Sequence, residues 1–161
     1  MADPLVSEAL KKAAVAWVSV DGGPALALWC MPIDDALYIV SGRGEQDAPG
    51  LAYAEEARVS LRGDHGGRIV TWPAEVTRVD PRSEEWTTVA PQLAAKRLNA
   101  PGTATALVER WAAECSVNRL VPAGDPEEPG DASEAAPPRE SPAARPAKRP
   151  FRLHRVRGAR R

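Results

Sequence analysis

Histidine, cysteine and phenylalanine are nearly missing from this chain: two His, two Cys and one Phe among 161 residues. Two cysteines, Cys30 and Cys115, are too few for a disulfide framework, and neither has a partner at metal-ligand spacing. His65 and His154 are too far apart in sequence to suggest a metal pair; His65 reads as an exposed turn residue and His154 falls in a polar tail. No run of about 18 apolar residues exists to span a membrane. The N-terminus, MADPLVSEALKK, lacks a basic stretch followed by an apolar one, so no signal peptide is expected. These absences point to a reducing, cytoplasmic setting.

Net charge is also almost absent, at −1, but the sum hides a division. Residues 1–122 carry 12 Lys/Arg against 16 Asp/Glu, whereas residues 143–161 carry eight basic residues and no acidic one. All five tryptophans precede residue 112, and eight prolines fall between 122 and 150. The expected organisation is therefore one domain over 1–122 and a disordered Pro/Ala-rich linker and basic tail over 123–161, which has too little apolar surface to offset the entropy of ordering. The tail is either a solubilising extension or, through residues 143–161, a site for nucleic-acid phosphates. No nucleic-acid-binding motif accompanies it.

Within 1–122 the pattern is mainly β with flanking helices. Asp3-Pro4 suits a helix start, with the helix running to about Lys12. Apolar runs at 13–20 and 25–33 flank Asp21-Gly22-Gly23-Pro24, and Asp34-Asp35 leads to a third strand at 37–41, so antiparallel hairpins are expected. These strands are apolar on both faces. Such burial suits a closed barrel whose outside is covered by helices or another subunit. A Gly-rich loop (42–50), a short helix (51–57) and strands at 58–62 and 68–79 follow, with Pro73 marking an edge or a bulge. Residues 83–98 read as helix, with Trp86, Val89, Leu93 and Arg97 on one face and a kink or break at Pro91. A helix at 103–114 and a strand at 115–121 complete the domain.

Three segments, AAVAWVSVDGGPALALWCMPIDDALYIVSGRG, GLAYAEEARVSLRG and GGRIVTWPAEVTRVDP, carry a resemblance over roughly residues 5–122. The chain resembles the pyridoxamine 5′-phosphate oxidase-like superfamily of split β-barrels, whose members include flavin- and deazaflavin-dependent oxidoreductases. The resemblance implies a homodimer with FMN, or a deazaflavin, at the subunit interface. It implies a phosphate loop matching Ser41, Arg43 and Gln46, with Trp29, Cys30 and Met31 beside the ring. Arg68, Trp72, Lys96, Arg97 and Asn99 form a second group that a dimer would bring to the partner's cofactor. Their plainer reading is packing for Trp72 and a favourable basic helix end for Lys96 and Arg97. Cys30 and Cys115 read as small buried hydrophobes.

The sequence departs from the family where many relatives carry a phosphate-binding lysine: that position is Asp47, with Glu45 close by. Two carboxylates repel a phosphate dianion. Three functions stay open: a flavin-binding oxidoreductase of unknown substrate; a non-catalytic split barrel that has lost its cofactor and serves as a binding or scaffold module; or a barrel that dimerises the chain for nucleic-acid binding through the tail.

Overall fold

The computed structural model describes residues 3–62 and 69–127; His65, Arg68 and the basic tail lie outside the described residues. The elements in order are α1 (Pro4–Lys11), β1 (Val15–Ser19), β2 (Leu26–Trp29), β3 (Met31–Ile33), β4 (Ala36–Gly42), a 3-10 turn (Leu51–Tyr53), β5 (Glu56–Arg62), β6 (Ile69–Arg78), α2 (Glu84–Lys96), α3 (Ala104–Glu114) and β7 (Cys115–Pro122).

All strand pairs are antiparallel, in the order β2-β1-β5-β6-β7-β4-β3. The two outermost strands of that order, β2 and β3, are separated by one residue, Cys30. The two edges of the sheet are therefore one bent stretch of chain, and joining them nearly closes a barrel. A single strand was expected over 25–33. The chain instead pairs with β1 up to Trp29 and with β4 from Met31, bending between them. At the bend the Cys30 N–H still donates to the Ala14 carbonyl at 3.0 Å.

Two apolar cores lie on opposite faces of this sheet. The barrel interior holds Leu28, Leu37, Ile39, Val59, Leu61 and Trp72, with Val6 and Leu10 of α1 packed into it. The outer core lies under α2 and α3 and holds Tyr38, Val40, Trp86, Leu93, Trp111 and Val117. β4 serves both, Leu37 and Ile39 facing in and Tyr38 and Val40 facing out, which is why Ala36–Ser41 are all buried. The Tyr38 hydroxyl donates to Glu85 Oε1 at 2.9 Å and ties α2 to this strand. Among the described residues β1 has no such cover: Ala16 and Val18 face in, but Val15 and Trp17 are 45% and 40% exposed.

Local sequence accounts for most boundaries. Asp3 caps α1 by accepting from the Leu5 N–H, Ser83 caps α2 and Thr103 caps α3. Pro91 does not divide this segment into two helices, and α2 runs as one element from Glu84 to Lys96. Pro91 is exposed, so its lost hydrogen bond falls on the solvent side, while Trp86, Val89, Ala90 and Leu93 hold the opposite face. The helix expected over 51–57 is one 3-10 turn, because Ala54 is already extended and β5 begins at Glu56. β6 is flanked by β5 and β7, so Pro73 is not on an edge strand; it sits where the β6–β7 pairing ends. The last β6–β7 pair is Ala74 with Pro122, and the Pro73 carbonyl accepts from Ala123 N–H where β7 ends. N–H and C=O of one residue point to the same antiparallel neighbour, so the missing donor faces that end. Beyond β7 the chain stays along β6 as far as Glu127, whose N–H donates to the Thr71 carbonyl and whose carboxylate pairs with Arg58.

Ile39 is fully buried in the barrel interior, against strands distant in sequence. Ile39→Ala should lower unfolding free energy by about 2–5 kcal/mol in urea titrations with an unchanged m value. A loss below about 1 kcal/mol would mean that the interior collapses around the gap rather than being close-packed.

Candidate functional site

The loop after β4 lies where the barrel splits, and two glycines let it lie flat there. Gly42 has φ +134°, and a Cβ on it would come 2.9 Å from Cys115 Cα; one on Gly44, at φ +76°, would come 2.7 Å from Arg110 Nη1. Glu45 and Gln46 then point back into the protein. Gln46 fills the gap between β2 and β4. Its Oε1 accepts from the Trp29 N–H at 2.7 Å, and its Nε2 donates to the Trp29 carbonyl at 2.8 Å and to the Val40 carbonyl at 3.0 Å. Its own carbonyl accepts from the Gly42 N–H at 3.1 Å. The side-chain amide thus acts as a peptide group between two strands that do not pair directly.

Glu45 is the second anchor. Its side chain is 4% exposed and faces Arg97, at the end of α2, and Arg110, on α3, each with 28% exposure. Arg97 Nε lies 2.8 Å from Oε2, while Arg110 Nη2 lies 2.6 Å and the Trp111 indole nitrogen 3.1 Å from Oε1. Arg110 also donates to the Arg43 carbonyl at 2.6 Å, which fixes the aim of its guanidinium. Burial alone would push the Glu45 carboxyl up, but Arg97, Trp111 and Arg110 outweigh it and hold the carboxyl below its ordinary value.

Around these anchors a cavity of about 220 Å³ opens beside the split, lined by Trp29, Glu45, Gln46, Arg97 and Leu98. Trp29 is half-buried and Leu98 is 77% exposed. Of the residues expected around a cofactor, the structure brings Trp29, Gln46 and Arg97 together here. Ser41 lies elsewhere, buried, with its hydroxyl 3.3 Å from that of Ser116. Ser41 and Ser116 border a separate groove of about 320 Å³ that also touches Asp47, Tyr53, Arg78 and Glu114. The Arg43 side chain is 83% exposed and sits 3.7 Å from Glu114, a surface pair of little energetic weight. Lys96 is exposed on the last turn of α2, Asn99 is exposed in the loop that follows, and Trp72 is inside the barrel.

Cys30 turns inward from the bend, where burial pushes its thiol up to about 12, and Met31 packs against the outer core. Burial likewise raises Cys115, so both thiols are neutral at physiological pH. Sequence reasoning missed Arg110, Trp111 and Ser116. Each is separated from its loop partner by more than 60 residues, and no local pattern links them.

No family model matches the chain, and no curated protein matches it. Solved structures do. HutZ, the heme storage protein from Vibrio cholerae, superposes with a TM-score of 0.54 at 14% identity, covering 79% of this chain and 94% of its own. General stress protein 26 from Jannaschia sp. CCS1 (TM-score 0.45, 15% identity, covering 71% of this chain and 69% of its own) and the flavocytochrome Anf3 from Azotobacter vinelandii (0.45, 13%, 94% and 87%) match more loosely. The likeness to HutZ is one of fold alone, an antiparallel barrel nearly closed by seven strands. Among the described residues no helix is long and apolar enough to cross a membrane.

Glu45→Gln should cost about 2–3 kcal/mol at neutral pH, at or below the lower limit of the ~3–5 kcal/mol for breaking a buried pair because both guanidinia keep some water. Since the folded carboxyl titrates below its unfolded value of about 4.3, this contribution is complete above that pH and is lost as pH falls through the folded value. The difference between urea titrations of the two proteins should therefore start to shrink as pH falls below about 4.3 and vanish only below the folded value. A pH-independent difference would assign the effect to packing instead of charge.

Proposed function

We propose that this chain works as a homodimeric split barrel that takes a flat conjugated ligand of the flavin class, an FMN- or deazaflavin-type ring, against Trp29. The carrying observation is the cleft itself. An indole, a guanidinium and an exposed leucine surround a space beside the barrel split, where a ring can stack on Trp29 and under Arg97. At about 220 Å³ this space is smaller than the 300–1,000 Å³ of usual ligand sites, so it is half of one.

A second copy is the natural other half. Val15 pairs in register with Trp29, and Trp17 with Ala27, so these four side chains form an open apolar strip on the outside of β1 and β2 that leads into the cleft. A ring ligand would bring the redox chemistry with it, while Trp29 and Arg97 would orient it and exclude water from one face. The heme of HutZ and the flavin of Anf3 are likewise flat conjugated groups on this fold.

The residues present fit a ring better than a phosphate. Ser41 is bonded to Ser116, the Gln46 amide is spent on backbone, and Arg97 and Arg110 face Glu45. This favours, as a second reading, a split barrel that has given up FMN and acts as a non-catalytic binding or scaffold module.

Titration with riboflavin, FMN, a deazaflavin and hemin, followed by visible absorbance and Trp29 quenching, separates the readings. The ring-binding reading expects saturable binding weakened about three- to tenfold by Trp29→Ala. No binding of any ring by a folded dimer leaves the scaffold reading. For the dimer, Trp17→Glu should shift sedimentation equilibrium to monomer. An unchanged mass would remove the β1–β2 face from the interface.

A further inference from the structure

We infer that Arg97, Arg110 and the indole N–H of Trp111 form an oxyanion site whose resident ligand is the chain's own Glu45. Glu45 is thereby the specificity residue that denies a ligand's phosphate any gain in the cleft. The second statement rests on the ring-binding reading; the first does not.

Three donors from two helices converge on one carboxylate at 2.8, 2.6 and 3.1 Å. Two positive charges against one negative leave a net +1 at the back of the cleft. Guanidinium pairs of this kind suit a phosphate monoester as well as a carboxylate, because both offer oxygens to planar N–H forks. Arg110 is aimed independently of Glu45, through its bond to the Arg43 carbonyl. The donors therefore keep part of their arrangement when the carboxylate is taken away.

What stops a phosphate from entering is the tether. An intramolecular ligand competes at an effective concentration of millimolar or above without losing translational freedom. The loop that holds Glu45 is fixed on its other side by the three bonds of the Gln46 amide, so the carboxylate is held in place and not sampled from solution. A phosphate would also have to leave Glu45 buried without its partners. Glu45, Gln46, Arg97 and Trp29 line the same cleft. A ring on Trp29 thus meets a filled anion site next to it, and its own phosphate gains nothing there.

The test uses the full chain, Glu45→Ala and Glu45→Ala/Arg97→Gln. Thermal unfolding is compared in inorganic phosphate and chloride at equal ionic strength, because phosphate stabilises many proteins nonspecifically and the comparison must cancel that. The single variant should melt below the wild type in chloride and be raised by phosphate well beyond the wild-type response. The double variant should lose that excess. If the single variant does not fold in chloride, recovery on refolding into phosphate is read instead.

Riboflavin and FMN should bind the wild type equally, and Glu45→Ala should prefer FMN by about tenfold. A phosphate response no larger in Glu45→Ala than in the wild type, or no recovery in phosphate, would overturn the oxyanion site. Phosphate rescue without flavin binding would uphold that site and sink only the cofactor reading. Tighter binding of FMN than riboflavin by the wild type would overturn the role of Glu45 in specificity.

Discussion

Residues 26–33 must pair with two different strands, β1 before Cys30 and β4 after it, and the rest of the molecule is arranged around that double duty. A strand that changes partners leaves backbone groups with nothing opposite them. Here those groups belong to Trp29 and Val40, and the Gln46 amide satisfies three of them. Each bond is worth about 1 kcal/mol net, but each buried group left without a partner costs about 1–3 kcal/mol. The split is thus a place where one side chain decides whether the barrel closes cleanly.

The same constraint sets the chemistry of the loop. For Gln46 to reach between the strands, the backbone must lie against the start of β7, which Gly42 permits because a Cβ there would strike Cys115, and must turn at Gly44 with φ +76°. That path brings Glu45 under the ends of α2 and α3. A carboxylate 4% exposed needs compensation, and two arginines and an indole N–H provide it. The cleft beside Trp29 is what remains after these demands are met. Its polar wall is already saturated from within, and its open side is continuous with the uncovered β1–β2 face.

Much of the fold was legible in the sequence because its signals are local. Asp21-Gly22 and Asp34-Asp35 announce hairpins, with Asp21 and Asp34 at positive φ, and Asp3, Ser83 and Thr103 mark helix starts. The two-faced apolar run of β4 correctly implied a covered barrel. The bend at Cys30 was not legible, since residues 25–33 are evenly apolar and nothing in them says that the partner changes. Pro91 does not end α2 because a lost hydrogen bond weighs little on a solvent face backed by five buried side chains.

At the site, Trp29 and Gln46 were legible as residues of one neighbourhood, but not what Gln46 does there. Glu45 was read by its charge as a repellent for phosphate. Its actual partners, 52 and 65 residues away, convert that isolated charge into the centre of an ion network, and such a change depends on tertiary geometry alone.

The central claim is that the Gln46 side chain closes the split and holds the loop in place. Native-state hydrogen exchange at the Trp29 amide tests it most directly, because that N–H has a side-chain acceptor in place of a strand partner. The account predicts protection close to the free energy of global unfolding, like that of amides deep in β4, and its collapse in Gln46→Ala. Exchange of the wild-type amide through a low-energy local opening would contradict it, and the split would then be a loose seam instead of a bridged one.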